Sequence, residues 1–182
     1  MPYIIAEIPT NPRVEVPDLI ELKVALSKSR KTKNGTPAVD PVFILDQTFC
    51  PNIHFLGDGE ILSSVRALSY ASGSKFPSGG KCTAGYCVAN EKAEPLMQKI
   101  VQHLAICDNE ATALQYAILM GLIDDAFEKH KGKTIKIIVP PNCYGGTNDQ
   151  ARRVAACIKG VEIIDLPVDG GNDMVQSIEQ VL

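Results

Sequence analysis

Apolar residues fall into short unbroken runs divided by segments of helical period, the pattern of a sheet covered on both faces. The runs at 3–8 (Tyr-Ile-Ile-Ala-Glu-Ile), 42–45, 67–70, 84–89, 135–139 and 161–164 predict strands. Between them, helices are predicted from Pro17 and Asp18 to about Ser29, over 61–65, and from an Asn90 cap through Leu96, Ile100 and Leu104. A longer helix is expected from Asp108-Asn109 to Lys129, with Gly132 as its stop and a break at Gly121. Thr147-Asn148-Asp149-Gln150 reads as a capping box opening a helix through Lys159, which Gly160 ends. After the Asp169-Gly170-Gly171 turn a last helix is predicted over 174–182. Alternating strands and helices predict an α/β fold, a mostly parallel sheet covered by helices. At 182 residues one domain, 1–182, is the expectation.

Composition narrows the partners. With 45% hydrophobic residues and a formal charge of −3, the chain lacks the basic excess of a nucleic-acid or membrane-surface binder, so a small molecule is the expected ligand. The basic cluster Lys28, Arg30, Lys31 and Lys33 is read as a solvated loop. Cysteines 50, 82, 87, 107, 143 and 157 show no C-x-x-C pair, and His54, His103 and His130 have no ligand spacing. Neither a metal site nor a disulfide framework is expected, and reduced thiols point to the cytoplasm.

Chemistry gathers on four loops at predicted strand ends: Pro9-Thr10-Asn11-Pro12, Asp46-Gln47-Thr48-Phe49, Ser72-Gly73-Ser74-Lys75 and Tyr144-Gly145-Gly146-Thr147. A lysine between small hydroxyl residues on a glycine-tightened turn suits a Schiff-base enzyme, the amine reaching an aldehyde while hydroxyls and turn amides hold an anion. The same sequence, running on through Phe76 and Pro77-Ser78-Gly79-Gly80-Lys81, also suits a solvated loop. Asp46 at a strand's carboxyl end either meets a ligand or caps a turn.

With these four motifs the sequence resembles the Cys/Met-metabolism family of pyridoxal-phosphate enzymes, which includes cystathionine synthases and lyases and methionine γ-lyase. The resemblance implies the large domain of fold type I, pyridoxal 5'-phosphate as cofactor and an amino-acid substrate. The implied activity is that of a lyase or transferase of the transsulfuration type, eliminating or replacing at the β or γ carbon. By the same resemblance Lys75 would be the Schiff-base lysine and proton shuttle, and Asp46 the partner of the pyridine nitrogen. Ser72 and Ser74 would hold the phosphate, Asn11 the phenolic oxygen, and Tyr144 would stack on the ring and assist with protons. Thr48 is counted with the cofactor-binding residues.

The motif order departs from the family. There the tyrosine-glycine motif precedes the Pro-Thr-Asn-Pro loop, the aspartate and the lysine, whereas Tyr144 here comes last. A circularly permuted or rearranged large domain is therefore expected, with its seam near Met120-Gly121. No match is found to the family's amino-terminal segment, phosphate-binding glycine-methionine loop or carboxyl-terminal domain. A homo-oligomer would then need an interface other than the family's. The competing reading is a non-catalytic α/β binding or interaction module derived from such an enzyme, although no nucleotide-binding glycine motif supports it.

Overall fold

The structure, a computed structural model, describes residues 2–75, 79, 81, 84–104, 111–141, 143–167 and 173–182, with the backbone alone at 111–113. Six strands form one sheet: β1 (Pro2–Glu7), β2 (Val42–Asp46), β3 (Ala67–Ser72), β4 (Gly85–Ala89), β5 (Ile135–Val139) and β6 (Val161–Asp165). Their order across the sheet is β4-β3-β2-β1-β5-β6, and every neighbouring pair is parallel except β3 with β4. The predicted strands thus share a single mostly parallel sheet.

Five helices cover it: α1 (Leu19–Ser27), α2 (Glu94–Leu104), α3 (Ala111–Lys129), α4 (Gly145–Cys157) and α5 (Asp173–Val181). Strand alternation divides the core in two. Tyr3, Ile5, Val42, Ile44, Leu68 and Tyr70 face α2, α3 and α4. Ile4, Ala6, Phe43 and Leu45 face α1, α5 and the buried part of the 55–65 loop. With β1, β2, β3 and nearly all of β5 buried on both faces, their unbroken apolar runs have a physical explanation.

Several local expectations are corrected. Residues 61–65 form consecutive turns rather than a helix, with Ser63 N–H on Glu60 O at 3.1 Å and Val65 N–H on Leu62 O at 3.1 Å. The Asn90 amide holds them, donating to Leu62 O at 3.1 Å and Val65 O at 2.6 Å. Its Oδ1 accepts from Ala93 N–H at 3.1 Å, so it caps the turn that leads into α2. Helix α3 runs unbroken through Gly121, because the missing side chain is needed for helix contact. A Cβ there would lie 2.6 Å from the backbone nitrogen of Ile100 in α2.

The box at Thr147 is also overturned. Helix α4 begins two residues earlier, with Tyr144 at its N-cap and no side-chain cap hydrogen bond, while Thr147 is buried. Asp18 does cap α1, its Oδ1 accepting from Ile20 N–H at 2.8 Å and Glu21 N–H at 3.0 Å. The expected helix start at Asp108-Asn109, the Asp169-Gly170-Gly171 turn and residues 76–78 and 80 of the lysine loop lie outside the described residues.

Candidate functional site

The chain leaves β1 towards β2 and β3 on one side and later fills β5 and β6 on the other. Sheets of this kind open a crevice beyond the strands' carboxyl ends where the direction reverses, which here lies between β1 and β5. A cavity of about 330 Å³ lies at these carboxyl ends, lined by Glu7, Asn11, Asp46, Thr48, Phe49, Tyr70, Ser72, Lys75, Gln115, Tyr144 and Thr147. That volume is within the range, roughly 300–1,000 Å³, of small-molecule sites. Lys75, Asp46, Tyr144, Ser72, Asn11 and Thr48 therefore meet in one place, although they come from four separate loops.

Each is set by its strand. Asp46 ends β2 and is buried; its Oδ1 accepts the N–H of Thr48 at 2.9 Å. The Thr48 hydroxyl in turn accepts from Ser72 N–H at 3.0 Å, which ties the ends of β2 and β3 together. Ser72 and Ser74 share a hydrogen bond between hydroxyls at 2.7 Å, and Ser74 N–H reaches Ser72 Oγ at 3.3 Å. Ser74 stands beside the cavity through this bond, outside its lining.

Gly73 lets the turn close against β4. Its N–H donates to Ala84 O at 2.6 Å, and a Cβ would lie 2.7 Å from that oxygen. Lys75 follows on the exposed side. Tyr144 is 55% exposed, and a Cβ on Gly146 would lie 2.8 Å from its ring, so glycine lets the ring lie over the first turn of α4.

Five lining residues were not among the expected site: Glu7, Phe49, Tyr70, Gln115 and Thr147. Glu7 ends β1 as the register partner of Asp46 and is buried beside it. Burial first, and the Asp46 carboxylate second, push its pKa up to about 7, against the pull of the Asn11 backbone N–H, which donates to Glu7 Oε2 at 3.3 Å. Asp46 is raised by burial too, but its hydrogen bonds with Thr48 favour its ionised form. Burial, with Asp46 next, holds the Tyr70 phenol well above its ordinary range. The Cys143 thiol is pushed up to about 12, by burial and then by Glu7.

Among the described residues no group of three or more His, Cys, Asp or Glu side chains could hold a metal ion. Cys50, Cys87, Cys143 and Cys157 are free thiols, and Cys82 and Cys107 lie outside the described residues. No described helix is long and apolar enough to cross a membrane. Comparison of the chain with protein-family models, with curated proteins and with solved structures gives no match.

Proposed function

We propose that the cavity binds pyridoxal 5'-phosphate and that the protein is a lyase or transferase of sulfur amino acids, built on a rearranged large domain of the fold type I kind. The observation that carries this reading is the meeting of Lys75, Asp46, Ser72, Asn11 and Tyr144 around one cavity of small-molecule size. The donor set fits the group. A buried carboxylate suits a protonated ring nitrogen, paired hydroxyls suit a phosphate, and an amine on the open side suits an aldehyde.

When bound, the cofactor supplies an aldehyde and an electron-accepting ring. Asp46, which accepts the Thr48 N–H, would pair with positive charge at the ring nitrogen. Ser72 and Ser74 would offer hydroxyl hydrogen bonds to the phosphate, Asn11 would donate a hydrogen bond to the phenolic oxygen, and the Tyr144 ring would cover the open side. Lys75 would supply the amine for the aldehyde and a base for the proton at the amino acid's Cα.

The test is spectroscopic. Adding pyridoxal phosphate to the full chain is expected to give a new near-visible absorbance band, fixed by borohydride onto Lys75 and absent from Lys75→Ala. Release of a keto acid from L-methionine, L-homocysteine or L-cystathionine would then identify the reaction. Absence of the band at millimolar cofactor, or its fixation on a different lysine, would sink the reading.

A further inference from the structure

Helix α3 lies across the sheet with Leu114, Ile118 and Leu122 along its buried stripe, and beside them stands an amide, Gln115. Gln115 is 3% exposed and lines the cavity, yet its Nε2 is buried without a hydrogen-bond partner. Buried polar groups are nearly always satisfied, and an orphaned donor costs stability for as long as it stays unpaired. Gln115 stands at the cavity wall, so an amide that turns towards an acceptor brought by a ligand relieves its orphaned donor.

The cavity is also divided in character. Glu7 and Asp46 supply acceptors on the β1 and β2 side, whereas Lys75 and the Gln115 amide supply donors. A ligand satisfying both carries a cationic group for the carboxylates and a negatively charged oxygen for the donors. We propose that Gln115 is a ligand-binding residue that donates from Nε2 to an anionic oxygen, carboxylate or phosphate, of the molecule the cavity holds. This rests on the reading of the cavity as a cofactor and amino-acid site.

Two substitutions separate binding from folding. Gln115→Met keeps the volume and removes the orphaned donor; Gln115→Glu keeps the shape and replaces the donor with a negative charge. Without ligand, Gln115→Met is expected to melt at or above the wild-type temperature. Affinity for pyridoxal phosphate, measured by absorbance titration, should fall about tenfold in Gln115→Met, equivalent to about 1.4 kcal/mol, and further in Gln115→Glu. Calorimetry with inorganic phosphate and with L-methionine distinguishes the oxygen's source, since only the probe carrying it should lose affinity in the variants.

If the wild type binds these probes and both variants bind them equally well, Gln115 does not hold the ligand and the assignment alone fails. Undiminished affinity in Gln115→Glu would show that the group facing the cavity accepts rather than donates. A clear loss of stability in ligand-free Gln115→Met would show an amide already satisfied in the free protein, which also overturns the assignment. Should the wild type bind none of the probes, the reading of the cavity falls and the assignment falls with it.

Discussion

Glu7 and Asp46 are register partners across β1 and β2, each the last residue of its strand and each buried, so two carboxylates stand side by side at the cavity. Neighbouring strands lie roughly 4.8 Å apart, and two desolvated like charges at that spacing do not both ionise readily. Asp46 has the Thr48 N–H to favour its charge, and Glu7 is pushed up to about 7. Glu7 therefore titrates well above the usual carboxylate range, through burial first and the neighbouring Asp46 second.

The consequence for stability has a definite sign. A carboxyl whose folded pKa is raised binds its proton more tightly folded than unfolded, so its contribution is full below about 4.5 and is lost as pH rises towards 7. The loss is at most about 3 kcal/mol for a shift of this size. Glu7→Gln should therefore gain stability over the wild type between pH 5 and 8, the gap widening with pH. Urea denaturation across that range measures it, and parallel pH profiles for the two proteins would contradict the raised Glu7 pKa.

Asn90 supports the site from a distance by fixing the chain between β2 and β3. Its amide binds Leu62 O and Val65 O, while its Oδ1 accepts from Ala93 N–H. Asn90→Ala leaves buried carbonyls unpaired and is expected to cost about 2–4 kcal/mol in chemical denaturation. A cost below 1 kcal/mol would mean that water replaces the amide.

The central parallel strands were legible because they had to be apolar on both faces, leaving runs without alternation. Asn11, Asp46, Ser72, Lys75 and Tyr144 were legible as loop residues at those strands' ends. Glu7 was hidden by the same apolar run that revealed β1. Its phase with Tyr3 and Ile5 is the signal that puts it on the α3 face with Asp46. Gln115 was masked by the helical stripe around it, and an isolated amide among buried apolar positions is the sign that could have found it. Thr147 fits a local capping pattern, but its place in a cavity is set by long-range packing that no four-residue pattern carries. Residues 61–65 fail as a helix for a similar reason, being clasped by a side chain some 25 residues further along.

Gly121 distinguishes intrinsic propensity from packing. On propensity alone, Gly121→Ala should stabilise α3 by about 1 kcal/mol. The new Cβ would meet Ile100 N at 2.6 Å and Lys99 C at 2.8 Å, backbone atoms that yield only if α2 moves. We expect net destabilisation of about 1–3 kcal/mol, the range for overpacking, seen as a lower melting temperature. A stabilised variant would show that the two helices separate without loss.

Gly73 carries the same argument into the site. Its backbone touches Ala84 O, and a Cβ at 2.7 Å from that oxygen would force the turn off β4. The hydrogen bond from Gly73 N–H at 2.6 Å would be stretched, and Ser74 and Lys75 would move with the turn, while Asp46 stays fixed by β2. Because the strain falls on a loop at the end of an edge hairpin, Gly73→Ala should retain the sheet, with circular dichroism like that of the wild type and a modest fall in melting temperature. Under the cofactor reading, labelling of Lys75 by pyridoxal phosphate and borohydride should nevertheless fall at least tenfold, since proximity between amine and aldehyde is lost with small displacements. Wild-type labelling in this variant would show that Lys75 reaches the cavity independently of the turn.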